Sequence, residues 1–167
     1  MGWLTTLANM DKAELLELIA HHGAHVPGLE AAWRMKDPEQ ILLRDCVNPS
    51  CGDRVEVELR ERDGTIELRG IAEGCQLSRA AASLLAEALE LAPLAETSAV
   101  LETLVRVRQG TVPAETAAVW AEDERFAELA DLAVLAVAPL RRRCISMVWD
   151  VTTDLMDQAS NASAQRR

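Results

Sequence analysis

Tyrosine is absent from this chain and phenylalanine occurs once, so its interior is aliphatic apart from four tryptophans. No apolar run reaches the ~18 residues of a membrane span, which excludes a transmembrane helix. No basic flank leads into an apolar stretch at the N-terminus. A secretory signal is therefore not expected, and the chain should stay in the cytoplasm. Positive charge is in deficit: 17 Lys and Arg stand against 27 Asp and Glu, a formal net charge of −10. That balance argues against nucleic acid and anionic membranes as partners, since both need clustered cations. It suits a basic protein partner, and it equally suits plain acidic solubility. The four cysteines contain no CxxC pair, so spacing alone gives little metal signal. In a cytoplasmic protein they are more readily metal ligands or reactive thiols than disulfides.

What is present amounts to one domain. A chain of 167 residues suggests a single unit able to bury a core without staples. Abundant alanine favours helix. Residues 11–22 read as a first helix, with Asp11 and Glu14 in capping-box spacing and Gly23 as its stop. His21, His22 and His25 follow closely. They read either as a metal triplet or as an exposed helix end whose cations suit the dipole. Residues 24–47 are broken by Pro27, Gly28 and Pro38, with room for a short helix at 28–35.

Arg54 to Glu61 alternates, with Val55, Val57 and Leu59 on one side and Glu56, Glu58 and Arg60 on the other. That is a half-buried strand. Asp63-Gly64 predicts a hairpin turn into a second strand, Thr65–Ile71. Ser78 is placed to cap a helix at 79–90, with Cys75 just ahead of its N-terminus, where partial positive charge favours thiolate. Further helices are expected at 97–109, opened by Thr97 or Ser98 and closed by Gly110, and at 126–137, stopped by Pro139. The stretch 111–125 reads as a polar connection with a helical turn after Pro113. A last helix is expected at 144–158, with Ile145, Val148, Trp149 and Leu155 inward, so that Cys144 also lies near a helix start. The tail 158–167 reads as disordered.

The chain is organised around Asn48-Pro49-Ser50-Cys51-Gly52-Asp53. Pro and Gly hold this stretch in a turn, so a thiol and a carboxylate can face one point. Cys51, Asp53, Cys75 and Cys144 each lie at a turn or helix start, where ligands for one ion can converge. Zinc takes four such donors in a tetrahedron, and iron–sulfur clusters prefer thiolates. Free cysteines are also simply small buried hydrophobes. Cys46 is an extra thiol, either a bystander or a spare, resolving one.

Three motifs change the weight of that constellation. Asn48–Leu59, NPSCGDRVEVEL, resembles the NPxCGD-plus-strand segment of the IscU/SufU/NifU N-terminal-domain family of iron–sulfur cluster assembly proteins. Glu73–Ser83, EGCQLSRAAAS, resembles its EGCxxSxAxxS segment, and Arg141–Trp149, RRRCISMVW, resembles its third, basic-then-Cys segment. The resemblance runs from about Asn48 to Leu155 and implies an α+β fold, a small antiparallel sheet with helices packed on one face. Residues 48–157 would form that core, after a divergent helical region at 1–47. The family's site residues fall on Cys51, Asp53, Cys75 and Cys144.

Arg143 precedes the third Cys where IscU-type members have His, and the Cys75–Cys144 segment is long. Both are closer to the SufU type. The resemblance implies a scaffold or a zinc-bound acceptor of persulfide sulfur, with a zinc ion or a transient iron–sulfur cluster as the bound group. It is a carrier rather than an enzyme, although accepting persulfide would be a sulfurtransferase activity. Its partners would be a cysteine desulfurase of the SufS/IscS type and other cluster-assembly proteins. Cys51 is the preferred sulfur acceptor and Cys144 the second choice. Arg143 would attract an anionic persulfide and favour thiolate at Cys144. The family's N-terminal Tyr- and Asn-Pro-rich stretch is not evident. A structural zinc homologue acting as an interaction protein without sulfur transfer is therefore the alternative. A thiol hydrolase pairing Cys with His has no nucleophile motif behind it.

Overall fold

The structure is a computed structural model that describes residues 12–24, 41–90, 92–112, 124–136 and 139–164. Its elements are α1 (Lys12–Ala24), β1 (Leu42–Val47), β2 (Arg54–Arg62), β3 (Thr65–Glu73), α2 (Gln76–Leu89), α3 (Leu94–Gln109), α4 (Glu124–Leu135) and α5 (Pro139–Ala164). This is an α+β fold with one antiparallel sheet of order β1-β2-β3. α2 and α5 lie on the sheet, and α1, α3 and α4 pack around them.

The hairpin follows its alternation. β2 and β3 pair from Arg54↔Glu73 to Arg62↔Thr65. Asp63 and Gly64 turn with φ of 52° and 79°, the doubly positive geometry whose twist matches the strands. Val55, Val57, Leu59, Ile66 and Leu68 are buried with Leu85, Leu89, Ile145, Trp149 and Leu155 of the covering helices. The opposite face of the middle strand is buried too, with Glu56 and Glu58 only 6% and 4% exposed. Arg54 Nη2 reaches Glu56 Oε2 at 2.7 Å, so a neighbouring cation compensates that burial.

Several expectations need correction. Leu42–Val47 is a strand, paired from Leu42↔Leu59 to Val47↔Arg54, not part of a helical region reaching residue 47. As an edge strand it packs Leu42 and Cys46 on the core while Leu43 and Val47 stay half exposed, so its hydrophobic pattern never alternates. α1 runs through Gly23 because that residue abuts the start of α2; a Cβ there would come 3.0 Å from Gln76 O. His22 is not at an exposed helix end. It is buried, with Nδ1 2.9 Å from Ser83 Oγ and Nε2 3.2 Å from Glu128 Oε2.

α3 starts earlier than expected, at Leu94, and ends where expected, with Gly110 at φ 70°. α5 starts at Pro139, since proline suits the first helical position, and it continues past Gln158 to Ala164 with Ala159 buried. His25, the possible helix at 28–35 and the turn after Pro113 lie outside the described residues. Among the described residues, no helix is long and apolar enough to cross a membrane.

Candidate metal centre

The loop between β1 and β2, the start of α2 and one face of α5 meet at one place. The loop closes on itself. Asn48 N–H donates to Asp53 O at 2.7 Å, Gly52 N–H to Asn48 O at 2.8 Å, and Ser50 N–H to Asn48 Oδ1 at 3.1 Å. The last bond makes an Asx turn. The ligating atoms of Cys51, Asp53 and Cys144 then lie within 4.8 Å of one another. A tetrahedral zinc with bonds of about 2.3 Å spaces its sulfurs by roughly 4 Å, so this trio matches such a site in size. Cys75 stands outside the trio but touches it. Its N–H donates to Asp53 Oδ1 at 3.2 Å, its thiol donates to Ser78 Oγ at 3.7 Å, and the thiol interacts with the Asp53 carboxyl and the Cys144 thiol. Three sulfurs and one carboxylate are a donor set that fits zinc or a cluster.

Asp53 is 4% exposed. Burial pushes its carboxyl up, but hydrogen bonds from the Cys75 thiol, the Ser78 hydroxyl, the Cys75 N–H and the Cys51 thiol together hold it below the ordinary carboxylate range. Gly74, at φ 135°, passes so close that any Cβ there would overlap the Asp53 carboxyl group. Ser78 does not cap α2. Cys75 occupies that position, with φ −68° and ψ 157° and no side-chain cap bond. Ser78 lies inside the first turn and donates to Asp53 Oδ2 at 3.0 Å.

Cys144 differs from expectation. It lies beyond the first four N–H groups of α5, the ones left unpaired at a helix start. The helix end therefore does little for its thiolate. Burial, then the negative charge of Cys75, a hydrogen bond with Cys75, and the charges of Cys51 and Asp53 push the Cys144 thiol up to about 12. Arg143 does not offset this. Its guanidinium serves Asp150 Oδ2 at 3.4 Å and Cys46 Sγ at 3.3 Å. Besides the other members of the cluster, the Asn48 side chain approaches Cys144, with Nδ2 3.9 Å from Sγ. Cys46 is a half-buried thiol on β1, outside the trio.

Asn48, Gly74 and Ser78 thus shape the centre beside the four expected ligands. Their signals in the sequence were an Asn ahead of Pro, which favours an Asx turn, a Gly directly before a Cys, and a Ser three residues after it.

The fold and this cluster define a class: an antiparallel sheet covered by helices, with thiols and a carboxylate gathered at one end. No family profile and no curated protein matches the sequence. Solved structures do match. A NifU-like protein (N-terminal) from Brucella abortus is 18% identical with a TM-score of 0.69, covering 96% of this chain and 99% of that one. A putative iron–sulfur cluster assembly scaffold protein for the SUF system, from the thermophile Fervidobacterium islandicum AW-1, is 16% identical with a TM-score of 0.60, covering 81% and 90%. A hypothetical protein is 20% identical with a TM-score of 0.65, covering 88% and 99%. The chain shares the fold of NifU-like N-terminal domains and SufU-type scaffolds.

Proposed function

We propose that this chain takes part in iron–sulfur cluster assembly in the cytoplasm. Its role there is that of a scaffold or a zinc-bound acceptor of persulfide sulfur from a cysteine desulfurase. The observation that carries this reading is the gathering of Cys51, Asp53 and Cys144 within 4.8 Å, with Cys75 bonded to the same carboxylate, on a fold shared with NifU-like and SufU-type proteins.

A zinc ion held by Cys51, Asp53, Cys75 and Cys144 would supply the positive charge that keeps the thiols deprotonated at neutral pH. An assembling cluster would be cargo on the same thiols. Sulfur transfer needs an accessible thiolate to attack the outer sulfur of a donor persulfide. A new S–S bond forms to that outer sulfur, the donor's S–S bond breaks, and the donor cysteine's own sulfur leaves as thiolate. Cys51 is exposed on its turn and Cys144 is half-buried. Cys75 is exposed as well, so access favours Cys51 over Cys144 as acceptor without separating it from Cys75. Asp53 is a harder ligand than the thiolates around it, which suits it to exchange.

The test is metal content together with desulfurase-dependent sulfur uptake, for the full chain and for Cys51→Ser. The expected result is about one zinc per chain and uptake that Cys51→Ser abolishes. Metal without any uptake or desulfurase stimulation would reduce the protein to a structural zinc homologue. No metal and no uptake would remove the reading altogether.

A further inference from the structure

Ser78 lies beside the proposed centre but supplies no ligand to it. It is fully buried in the first turn of α2. Its one proton has two acceptors within reach, Asp53 Oδ2 at 3.0 Å and Cys75 O at 3.1 Å. The second does not need it, because Cys75 O already accepts the Arg79 N–H at 3.2 Å. The carboxylate is the better acceptor, since a hydrogen bond to an ionised group is the stronger kind. Oδ1 of the same carboxylate accepts the Cys75 N–H at 3.2 Å. Once an ion displaces the protons of the Cys51 and Cys75 thiols, these two donors remain, one on each oxygen; they fix both the place and the roll of the group and leave each oxygen a lone pair. While those bonds are made, Asp53 still has an oxygen within 4.8 Å of the Cys51 and Cys144 sulfurs. The bonds do not withdraw Asp53 from the centre; they aim it there.

We infer that Ser78 is a positioning residue of the metal centre, holding Asp53 as its oxygen ligand through the bond to Oδ2. The inference rests on the metal-centre reading above. Without the hydroxyl, one carboxylate oxygen loses its buried donor and the side chain loses its fixed roll. The ion then meets an oxygen ligand that must be ordered on binding. Hydrogen-bond partners that orient metal ligands are typically worth 10–100-fold in affinity.

The experiment measures Co²⁺ and Zn²⁺ affinity of the full chain by competition with a chromophoric chelator. It compares wild type, Ser78→Ala, Ser78→Thr, Asp53→Ala and the double variant Asp53→Ala/Ser78→Ala. Thiolate-to-cobalt absorption reports sulfur coordination independently. Ser78→Ala is expected to bind about 10–100-fold more weakly with its thiolate–cobalt bands intact. Ser78→Thr keeps a hydroxyl and is expected to recover most of the loss. In the Asp53→Ala background, removing Ser78 is expected to change nothing further, because its target is gone. Wild-type affinity in Ser78→Ala overturns the inference. An equal loss in the presence and absence of Asp53 also overturns it, since Ser78 would then act through the helix or through the Cys75 thiol 3.7 Å from its Oγ. If the wild type shows no thiolate–cobalt bands, the metal-centre reading itself fails, and the wild-type spectrum alone reveals that.

Discussion

Cys144 and Asp53 sit in one cluster yet are driven in opposite directions. Burial and the neighbouring sulfurs push the thiol up to about 12, while thiol, hydroxyl and N–H donors hold the carboxyl below its ordinary 3.8. The metal-free cluster therefore keeps a proton on Cys144 and its negative charge on Asp53, and a cation would reverse the first of these. This has a consequence for stability. An unfolded Cys144 ionises near its ordinary 9.0 and the folded one near about 12, so between those values the unfolded chain has released a proton that the folded chain keeps. Stability of the metal-free chain is expected to hold below about pH 9 and fall as pH rises toward about 12. Urea midpoints of chelator-treated protein across that range check it. Cys144→Ala should flatten the slope, and an unchanged slope would assign the loss to other groups. The thiol and carboxylate types were legible in the sequence. Their surroundings were not, because Asn48 reaches Cys144 across 96 positions and Ser78 reaches Asp53 across 25.

At the scale of elements, α1 is held by more than its apolar face. Leu18 is buried, Leu15 and Ile19 pack against the core, and Gly23 lets the helix approach the start of α2. His22 adds a polar tie to two other helices, through Ser83 on α2 and Glu128 on α4. Removing one partner of a buried hydrogen bond costs about 1–3 kcal/mol. His22→Phe, which keeps ring bulk and loses both nitrogens, is expected to destabilise the chain by about that much. A lowered urea midpoint with an unchanged slope checks it, and an unmoved midpoint would mean the tie contributes nothing net. Sequence pattern could not reveal this, since a histidine in the last turn of a helix reads the same whether it meets solvent or a buried serine. The hairpin was legible because only one face of β2 and β3 is apolar and packs on the helices, which imposes period 2 although Glu56 and Glu58 on the other face of β2 are buried too, and because Asp63-Gly64 favours a tight turn. β1 was not, because Leu43 and Val47 are apolar yet exposed and the polar Arg44 stands between Leu42 and Cys46, so the residues do not alternate. α2 and α5 start ahead of the positions their patterns predict. There Cys75 and Pro139 open the helices, and neither is a side-chain cap of the usual kind.

For the whole molecule, the proposed centre joins, at one end, elements that already share the core. Cys51 and Asp53 come from the β1–β2 loop, Cys75 from the start of α2, and Cys144 from α5. An ion bound there would link three elements and stabilise only the folded chain. That linkage is worth about 4.1 kcal/mol when free metal is 1,000 times its dissociation constant. In a chain of this size 1 kcal/mol moves the melting temperature by about 2–4 °C, so chelation should lower it by something on the order of 10 °C. The four ligands should not contribute alike. Thiolates supply most of the affinity for a borderline ion, and a carboxylate oxygen supplies less. Asp53→Ala should therefore bind more weakly than the wild type, at least as weakly as Ser78→Ala, and yet remain loaded at saturating zinc because three thiolates persist. Cys51→Ser should lose its metal outright. Melting curves with and without chelator, beside metal analysis, distinguish the cases. A chelator-dependent shift is expected in the wild type and in Asp53→Ala, and none in Cys51→Ser. If Asp53→Ala behaves as Cys51→Ser does, Asp53 is a ligand equal to the thiolates, and the exchangeable oxygen position assigned to it does not exist.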